Sequence, residues 1–361
     1  MSDIDAAAEA VRSGAMSQRA ASKKYDVPRT TLRRHLARAE VPDGFMVKGT
    51  STLVDPNGAV KLQWIKMSAD MERQKAMLME TVEAMKESMP RMKPVSAPKK
   101  ALDELVNTYV ITDFHYGMLA HYREGGANWD LKIAEKTLLG CFSHMMAGAP
   151  NAKVGIIAQL GDFLHQDSIA PMTGTVGTTH TVDADGRFSK IVRSAIKSLR
   201  AIVDMALAKH ERVHVLMAEG NHDLSSSIWL RSLFAALYEN EPRVTIDDSD
   251  LPFYAYQHGN TMLAFHHGHL KKFAALTNLF AAEFAQMWGA TTHRYGHCGH
   301  LHHKESKEDM GMTITQHRTL AARDSFSSRH GYHSNRGAQC VTYHSKYGEA
   351  GTNNVTPEMI Q

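Results

Sequence analysis

The spacing of apolar positions changes several times along the chain, and each change predicts a different element. Over residues 4 to 12, Ile4, Ala7, Ala8 and Val11 recur at helical spacing, and Gly14 predicts the stop. Ser17 can cap a second helix over 18 to 24, in which Ala20 and Ala21 are small enough for close packing. After Tyr25-Asp26-Val27, Pro28 takes the first position of a third helix that runs through Thr30, Thr31, Leu32, His35 and Leu36. Three short helices in this arrangement predict a helix-turn-helix unit over residues 1–43, with the third helix in the recognition position. Over 44–66 the pattern becomes that of strands: Phe45-Met-Val-Lys, Ser51-Thr-Leu-Val, the turn Asp55-Pro-Asn-Gly58, then Ala59-Val-Lys-Leu-Gln-Trp-Ile65. This predicts a β-hairpin.

Residues 67–89 are rich in Met, Glu, Lys and Ala, with Met71, Leu78, Val82 and Met85 near heptad spacing. A helix is expected there, and a homodimer could form through it. Pro90, Pro94 and Pro98, followed by Lys99 and Lys100, complete a stiff linker, so that 67–100 joins the N-terminal elements to a domain over 101–361. In that domain strands are expected at 107–113, 154–160, 213–219, 261–266 and 312–316, with helices near 130–147, 188–209, 228–238 and 271–287. Such alternation predicts a layered α/β fold.

Composition changes this picture in two places. A chain of 361 residues with 43% hydrophobic content can bury one sizeable core plus an accessory domain. Cys141, Cys298 and Cys340 form no C-x-x-C pair, which argues against a disulfide framework and for a reducing cytoplasm. No apolar run approaches the roughly 18 residues of a membrane span, and Asp3 and Asp5 stand where a secretory signal carries positive charge. The net charge of +3 conceals a local excess: Arg12, Arg19, Lys23, Lys24, Arg29, Arg33, Arg34 and Arg38 face a single acid, Asp26. DNA is the expected partner, contacted by Arg19, Lys23, Lys24, Arg29, Thr30, Thr31, Arg33 and Arg34. A solvated basic face on a small packing domain is the alternative. The stretch Met16-Ser-Gln-Arg-Ala-Ala-Ser-Lys-Lys-Tyr-Asp-Val-Pro-Arg-Thr-Thr-Leu-Arg-Arg-His-Leu resembles the pipsqueak-type helix-turn-helix family, in which such a helix enters the DNA major groove.

Five short polar blocks follow in fixed order: Asp113-Phe-His115, Gly161-Asp162-Phe-Leu-His165, Gly220-Asn221-His222-Asp223, His267-Gly268 and Gly299-His300-Leu-His302. Apolar runs such as Tyr109-Val-Ile-Thr, Gly155-Ile-Ile-Ala and Val213-His-Val-Leu-Met precede them, placing the polar residues at strand ends, where open α/β sheets bind ligands. Imidazole nitrogen and carboxylate oxygen suit divalent ions such as Mn²⁺, Fe²⁺ or Zn²⁺, and a bridging carboxylate can hold two of them roughly 3.5 to 4 Å apart.

In this order and spacing, residues 107 to 303 resemble the calcineurin-like metallophosphoesterase superfamily. The resemblance implies a four-layer αββα sandwich behind the small three-helix DNA-binding domain, acting on phosphoesters with two divalent ions. Mn²⁺ is the first choice, with Fe²⁺, Zn²⁺, Ni²⁺ or Mg²⁺ as alternatives. Carried over by position, it implies Asp113, His115 and His302 at one ion, Asn221, His267 and His300 at the other, and Asp162 bridging. A hydroxide shared by the ions would attack phosphorus, His222 would protonate the leaving oxygen, and Asp223 would orient His222. His266 is the alternative to His267, and Cys298 is expected to pack as a small buried thiol rather than to coordinate. His293, His297 and His303 are expected to be hydrogen-bonded or solvent-facing.

The substrate is less constrained. The block ending in His165 resembles that of Mre11/SbcD-type nucleases, in which His165 would contact a substrate phosphate; capping a helix or filling space is the alternative. A DNA-reading unit tethered to the catalytic domain raises the effective concentration of DNA at the metals. The expectation is a metal-dependent nuclease, against a DNA-tethered phosphatase or phosphodiesterase acting on a protein phosphate or small nucleotide, or a regulator using the domain as a platform. Residues 173 to 186, with His180, Asp183, Asp185 and Arg187 in or beside them, are expected to form a mobile loop over the site. A second basic region, Arg318, Arg323, Arg329, His330, His333, Arg336 and Lys346 with Phe326 and Tyr332, could track a phosphate backbone or form a solvated rim. The layout also resembles metallophosphatases encoded by tailed bacteriophages, which would place the protein in a bacterial host's cytoplasm.

Overall fold

The computed structural model describes residues 3–12, 16–36, 45–54, 60–69, 97–98, 101–173 and 181–360. The chain divides into two compact units, Met1–Glu80 and Thr81–Gln361.

In the first unit, α1 (Asp3–Arg12), α2 (Gln18–Lys24) and α3 (Arg29–Leu36) form as the apolar spacing predicts. The Ser17 hydroxyl accepts from the Ala20 N–H at 3.3 Å, capping α2. Helices this short do not persist alone. Ala7, Ala8, Ala21, Val27 and Leu32 form their shared core, with Ile4, Val11, Met16 and Tyr25 packed around it. β1 (Phe45–Val54) pairs antiparallel with β2 (Val60–Ala69). Met67 and Ser68, expected to open a helix, instead continue β2, opposite Val47 and Met46. The rest of the expected helix and dimer segment, residues 70–89, lies outside the described residues, as does the linker except for residues 97 and 98.

The second unit is built on two sheets. β3 (Leu102–Ile111), β4 (Ala152–Gln159), β5 (Arg212–Met217) and β6 (Val244–Ile246) run parallel. β12 (Ala338–His344) and β13 (Gly348–Val355) extend that sheet antiparallel from β3, in the order β13-β12-β3-β4-β5-β6. The other sheet, in the order β10-β11-β9-β8-β7, contains β7 (Tyr254–His258), β8 (Thr261–Phe265), β9 (His293–Cys298), β10 (Glu305–Asp309) and β11 (Met312–Gln316).

Strand alternation assigns each sheet two apolar faces and so fixes the layers. Tyr109, Ile111, Ile157, Val213 and Val215 face α5 (Leu131–Gly148), α6 (Phe188–Lys209) and α7 (Leu224–Leu237) in the largest core. The intervening residues Val106, Val110, Ile156 and Leu216 meet Tyr254, Leu263 and Phe265 between the sheets. On the far face, Met262, Ala264, Met312 and Ile314 pack on α8 (Leu276–Glu283), with α9 (Ala285–Ala290) following it. Helix, sheet, sheet, helix is the expected four-layer αββα sandwich. Two small helices, α4 (Tyr122–Gly125) and α10 (Ser325–Arg329), decorate it.

Local departures have tertiary causes. α7 begins at Leu224, ahead of the expected 228, because the Asp167 carboxylate accepts from the N–H groups of Ser225 at 2.6 Å and Ser226 at 2.8 Å. The helix expected over 271–287 is split at Phe284 into α8 and α9. Much of the second basic region precedes β12, a strand whose apolar residues were not expected to form one. Cys141, Cys298 and Cys340 are buried free thiols. Among the described residues no helix is long and apolar enough to cross a membrane.

His210 links β4 to the segment before β5. Its Nδ1–H donates to the Ala152 carbonyl at 2.7 Å, and Nε2 accepts from the Tyr109 hydroxyl at 3.0 Å. Burial lowers its pKa to about 4. The unfolded chain therefore takes up this proton near pH 6.5 while the folded chain does so only near 4. Stability should fall as pH drops through that window, by up to roughly 3 kcal/mol from this one group. Urea denaturation between pH 7 and 4 tests this, with His210→Gln giving a shallower decline.

Candidate metal centre

Parallel pairing places the C-terminal ends of β3, β4 and β5 on one edge, and pairs β8 with β9 in the same sense in the second sheet. Asp113 follows β3, Asp162 follows β4, Asn221 follows β5, His267 follows β8 and His300 follows β9. Backbone bonds then join these loops: Asp113 N–H to Gly161 O at 3.1 Å, His115 N–H to Asp162 O at 3.0 Å, and Gly299 N–H to His267 O at 2.7 Å.

Among the described residues three groups of donor atoms result, of which His115, His165 and His222 form one that shares His115 with the next. The other two adjoin at the carboxylates. In one, donor atoms of Asp113, His115 and His302 lie within 4.8 Å of one another; in the other, those of Asp162, His267 and His300 do. His302 Nε2 is 3.2 Å from Asp113 and 3.3 Å from His115 Nε2. His267 Nε2 lies 3.2 Å from Asp162 and 3.9 Å from Asp113, so it touches both clusters. Asn221 Oδ1 approaches the same nitrogen at 3.3 Å. All seven residues expected to hold metal are therefore brought together.

Charge is concentrated here out of reach of water. Burial pushes the Asp113 carboxyl up, but His302 and His267 outweigh it and hold it below the usual range. Asp162 is likewise opposed by burial and carried well below by His267 and His222. For His267, burial is overcome by Asp162 and Asp113, which raise its pKa to about 10. Buried carboxylates thus draw positive charge to this spot, the role a divalent cation fills. The donor set fits such an ion: carboxylate and amide oxygens with imidazoles suit Mn²⁺, Fe²⁺ or Zn²⁺. His267 Nδ1–H donates to Leu160 O at 2.8 Å, which aims Nε2 at the carboxylates as metal-binding histidines require.

Backbone geometry bears the mark of function. Asp113, His115, Asp162, His300 and His302 all adopt positive φ, between 48° and 74°. Each such non-glycine residue costs about 1 kcal/mol or more, so the surrounding fold holds these five against strain. The motif glycines supply room. A Cβ on Gly220 would strike the Asp162 amide and carboxylate, and one on Gly299 would strike Thr112 and the Asp113 carboxylate.

Two roles expected for neighbours of the ligands are corrected. Asp223 was expected to orient His222. Its carboxylate instead accepts from four backbone N–H groups, Gly220 and Asp162 at one oxygen, Phe163 and Leu164 at the other, at 2.7–3.1 Å. It locks the second block to the third, although burial and the charges of Asp162 and Asp167 push its pKa up to about 8. The His222 ring is held by its own Nδ1–H, which donates to the His165 carbonyl at 2.9 Å.

His165 was expected to touch a substrate phosphate, yet it is 1% exposed. Its Nδ1 lies 3.2 Å from His115 Nδ1, and its ring stacks on His222 with centroids 5.5 Å apart. With Nε2 turned to the first cluster, His115 keeps its proton on Nδ1 and donates it to His165. His165 therefore positions two other histidines. Its place in the sequence, three residues past Asp162, marked it as a site residue without revealing which side of the metals it occupies.

Other expectations resolve individually. His266 packs tilted against Phe253 and stacks with His269, with no donor atom in these clusters, whereas His267 contributes to one of them. Cys298 is buried in the outer core. His297 bonds Tyr343 and His317, and His303 is exposed beside Glu305. His180 lies outside the described residues. Asp183 and Asp185 are engaged by Ser325 Oγ and the Leu131 N–H, which ties that end of the expected mobile loop to the domain. Arg336 donates to Leu320 O and lies over Trp129, so it braces the loop before β12. Thr319, whose hydroxyl donates to the Asp113 carbonyl at 2.5 Å, had no local signal because its partner is distant in sequence. In the first unit Arg19, Lys23, Lys24, Arg29 and Thr30 are exposed and Thr31 half-buried, while the side chains of Arg33 and Arg34 lie outside the described set.

Residues 2–40 match the family described as helix-turn-helix, Psq domain, and the first unit carries that domain. Comparison with curated proteins gives no match. Among solved structures, a predicted phosphoesterase from Streptococcus pneumoniae TIGR4 is 10% identical, with a TM-score of 0.32 over 70% of this chain and 91% of that one. Vps29 of Entamoeba histolytica, complexed with Zn²⁺, is 13% identical, with a TM-score of 0.30 over 70% and 99%. A novel archaeal phosphodiesterase is 10% identical, with a TM-score of 0.35 over 69% and 98%. Agreement of this depth assigns neither ligand nor substrate, and the functional reading rests on the site itself.

Gly220→Ala should displace Asp162 and break the Asp223 lock. We expect at least a tenfold loss of Mn²⁺ affinity by calorimetry and a stability loss of about 1–3 kcal/mol.

Proposed function

We propose that residues 101–361 form a two-metal phosphoester hydrolase and that the whole chain acts on DNA as a metal-dependent nuclease. The observation that carries this reading is the pair of adjoining clusters, Asp113-His115-His302 and Asp162-His267-His300, with Asn221 beside the second. Asp113, His115, Asp162, Asn221, His267, His300 and His302 would hold the ions. Bound divalent ions would lower the pKa of a shared water towards neutrality and neutralise charge on the phosphoryl oxygens.

The chain's own groups supply the rest. Water-derived hydroxide adds to phosphorus as the bond to the leaving oxygen breaks, and that oxygen takes the proton from His222 Nε2. The His165 carbonyl on Nδ1–H keeps the ring in place for this transfer. Asp223 holds the loop carrying His222 against the loop carrying Asp162, fixing the distance between acid and bridging carboxylate. DNA as substrate is supported by the Psq helix-turn-helix and its exposed basic residues, which would deliver the backbone to the site.

Incubating the intact chain with Mn²⁺ and linear single- or double-stranded DNA should yield cleavage. His222→Ala should lower kcat by about 10² to 10⁴ while two metals per chain remain bound. Uncut DNA combined with rapid hydrolysis of phosphomonoesters would replace the nuclease with a DNA-tethered phosphatase. Arg29→Ala and Arg33→Ala should each weaken duplex binding and lower the slope of log K against log salt by about one. Binding that survives deletion of residues 1–40 would remove the DNA-reading role from the first unit.

A further inference from the structure

The loop between β11 and β12 rises directly from the floor of the metal centre. At its base the Thr319 hydroxyl donates to the Asp113 carbonyl. Its ends are closed by the Gly337 N–H on Thr319 O at 2.9 Å and by the Arg336 guanidinium on Leu320 O at 2.6 and 2.8 Å. Within this excursion Asp324 caps α10 through the Ser327 N–H and lies within electrostatic reach of His165 and His302. The loop is thus tied at both ends beside the first cluster.

Its outer surface carries three aromatic rings in series. Phe326 and His330 have centroids 4.1 Å apart, and His330 and Tyr332 follow at 5.8 Å with planes only 18° from parallel. The His330 Nδ1–H donates to the Phe326 carbonyl, which fixes the middle ring. Phe326 is 44% exposed and Tyr332 60%, so both rings present a face to solvent. From residue 318 to 336 the sequence holds four arginines and one acid, and that acid is engaged as a helix cap.

We infer that this rim is a docking surface for a single strand of nucleic acid, with an unpaired base continuing the ring series at Tyr332 and the exposed Arg329 meeting the backbone phosphates. Stacking on an exposed ring accepts any base, and arginines beside it match the strand's charge. A duplex cannot use the surface, because its base faces are already stacked on one another. The inference deepens the nuclease reading by naming the form of DNA that reaches the metals, and it rests on that reading only for the cleavage of a strand already bound.

The test uses the full chain and a fluorescein-labelled hexathymidylate, too short and single-stranded for helix-turn-helix recognition, with cleavage suppressed by EDTA. Tyr332→Ala should weaken binding in fluorescence anisotropy about tenfold, Tyr332→Trp should restore it, and Arg329→Ala should weaken it with a reduced salt dependence. With Mn²⁺ present, Tyr332→Ala should lower oligonucleotide turnover relative to that of bis(p-nitrophenyl) phosphate. Equal affinity of the wild type and Tyr332→Ala for the oligonucleotide overturns the surface. A wild-type chain that binds the oligonucleotide but hydrolyses no phosphoester upholds the surface and removes the proposed reaction.

Discussion

Two carboxylates with essentially no access to solvent, Asp113 and Asp162, constrain the rest of the second unit. Burying a charge costs several kcal/mol unless it is compensated. Compensation here comes from imidazoles and N–H groups carried by loops of both sheets. His267 reaches Asp162 from the five-stranded sheet, while the His300 N–H and the Thr112 hydroxyl reach Asp113. The sheets must therefore pack with their C-terminal edges in register, and the Tyr254, Leu263 and Phe265 layer between them sets that register.

The same constraint explains the backbone. Five candidate ligand residues sit at positive φ because a strand end must turn sharply to aim a side chain back across the sheet edge. The strain is opposed by inter-loop bonds, of which the four N–H groups on Asp223 form the densest set. Glycine at 220 and 299 is dictated by the closeness of the carboxylates rather than by loop flexibility. Function and stability therefore share one network, and a change that frees the backbone loosens the ligands.

The two faces of the centre divide the labour. His165 and Asp223 lie on the protein side, where they hold His115, His222 and the bridging loop. The loop with Phe326, His330 and Tyr332 exposes these three rings to solvent.

Much of this was legible in the chain. Apolar period set the three short helices, the hairpin and most strands of the sandwich, because helix and strand spacing are local properties. The gathering of the candidate ligands was legible too: each block is a few adjacent residues at the end of an apolar run, and adjacency to a strand end carries the geometry. Roles that depend on distant partners were not. Asp223 faces four N–H groups instead of His222, His165 lies behind His115 instead of before a phosphate, Asp167 starts α7 early, and Thr319 braces Asp113. Sequence determined which side chains could bind metal and where strands would deliver them. Only the packing of one sheet on the other decided which nitrogen faces an ion, which carboxylate is spent on backbone, and which rings remain exposed, because those outcomes depend on distances between residues far apart in the chain.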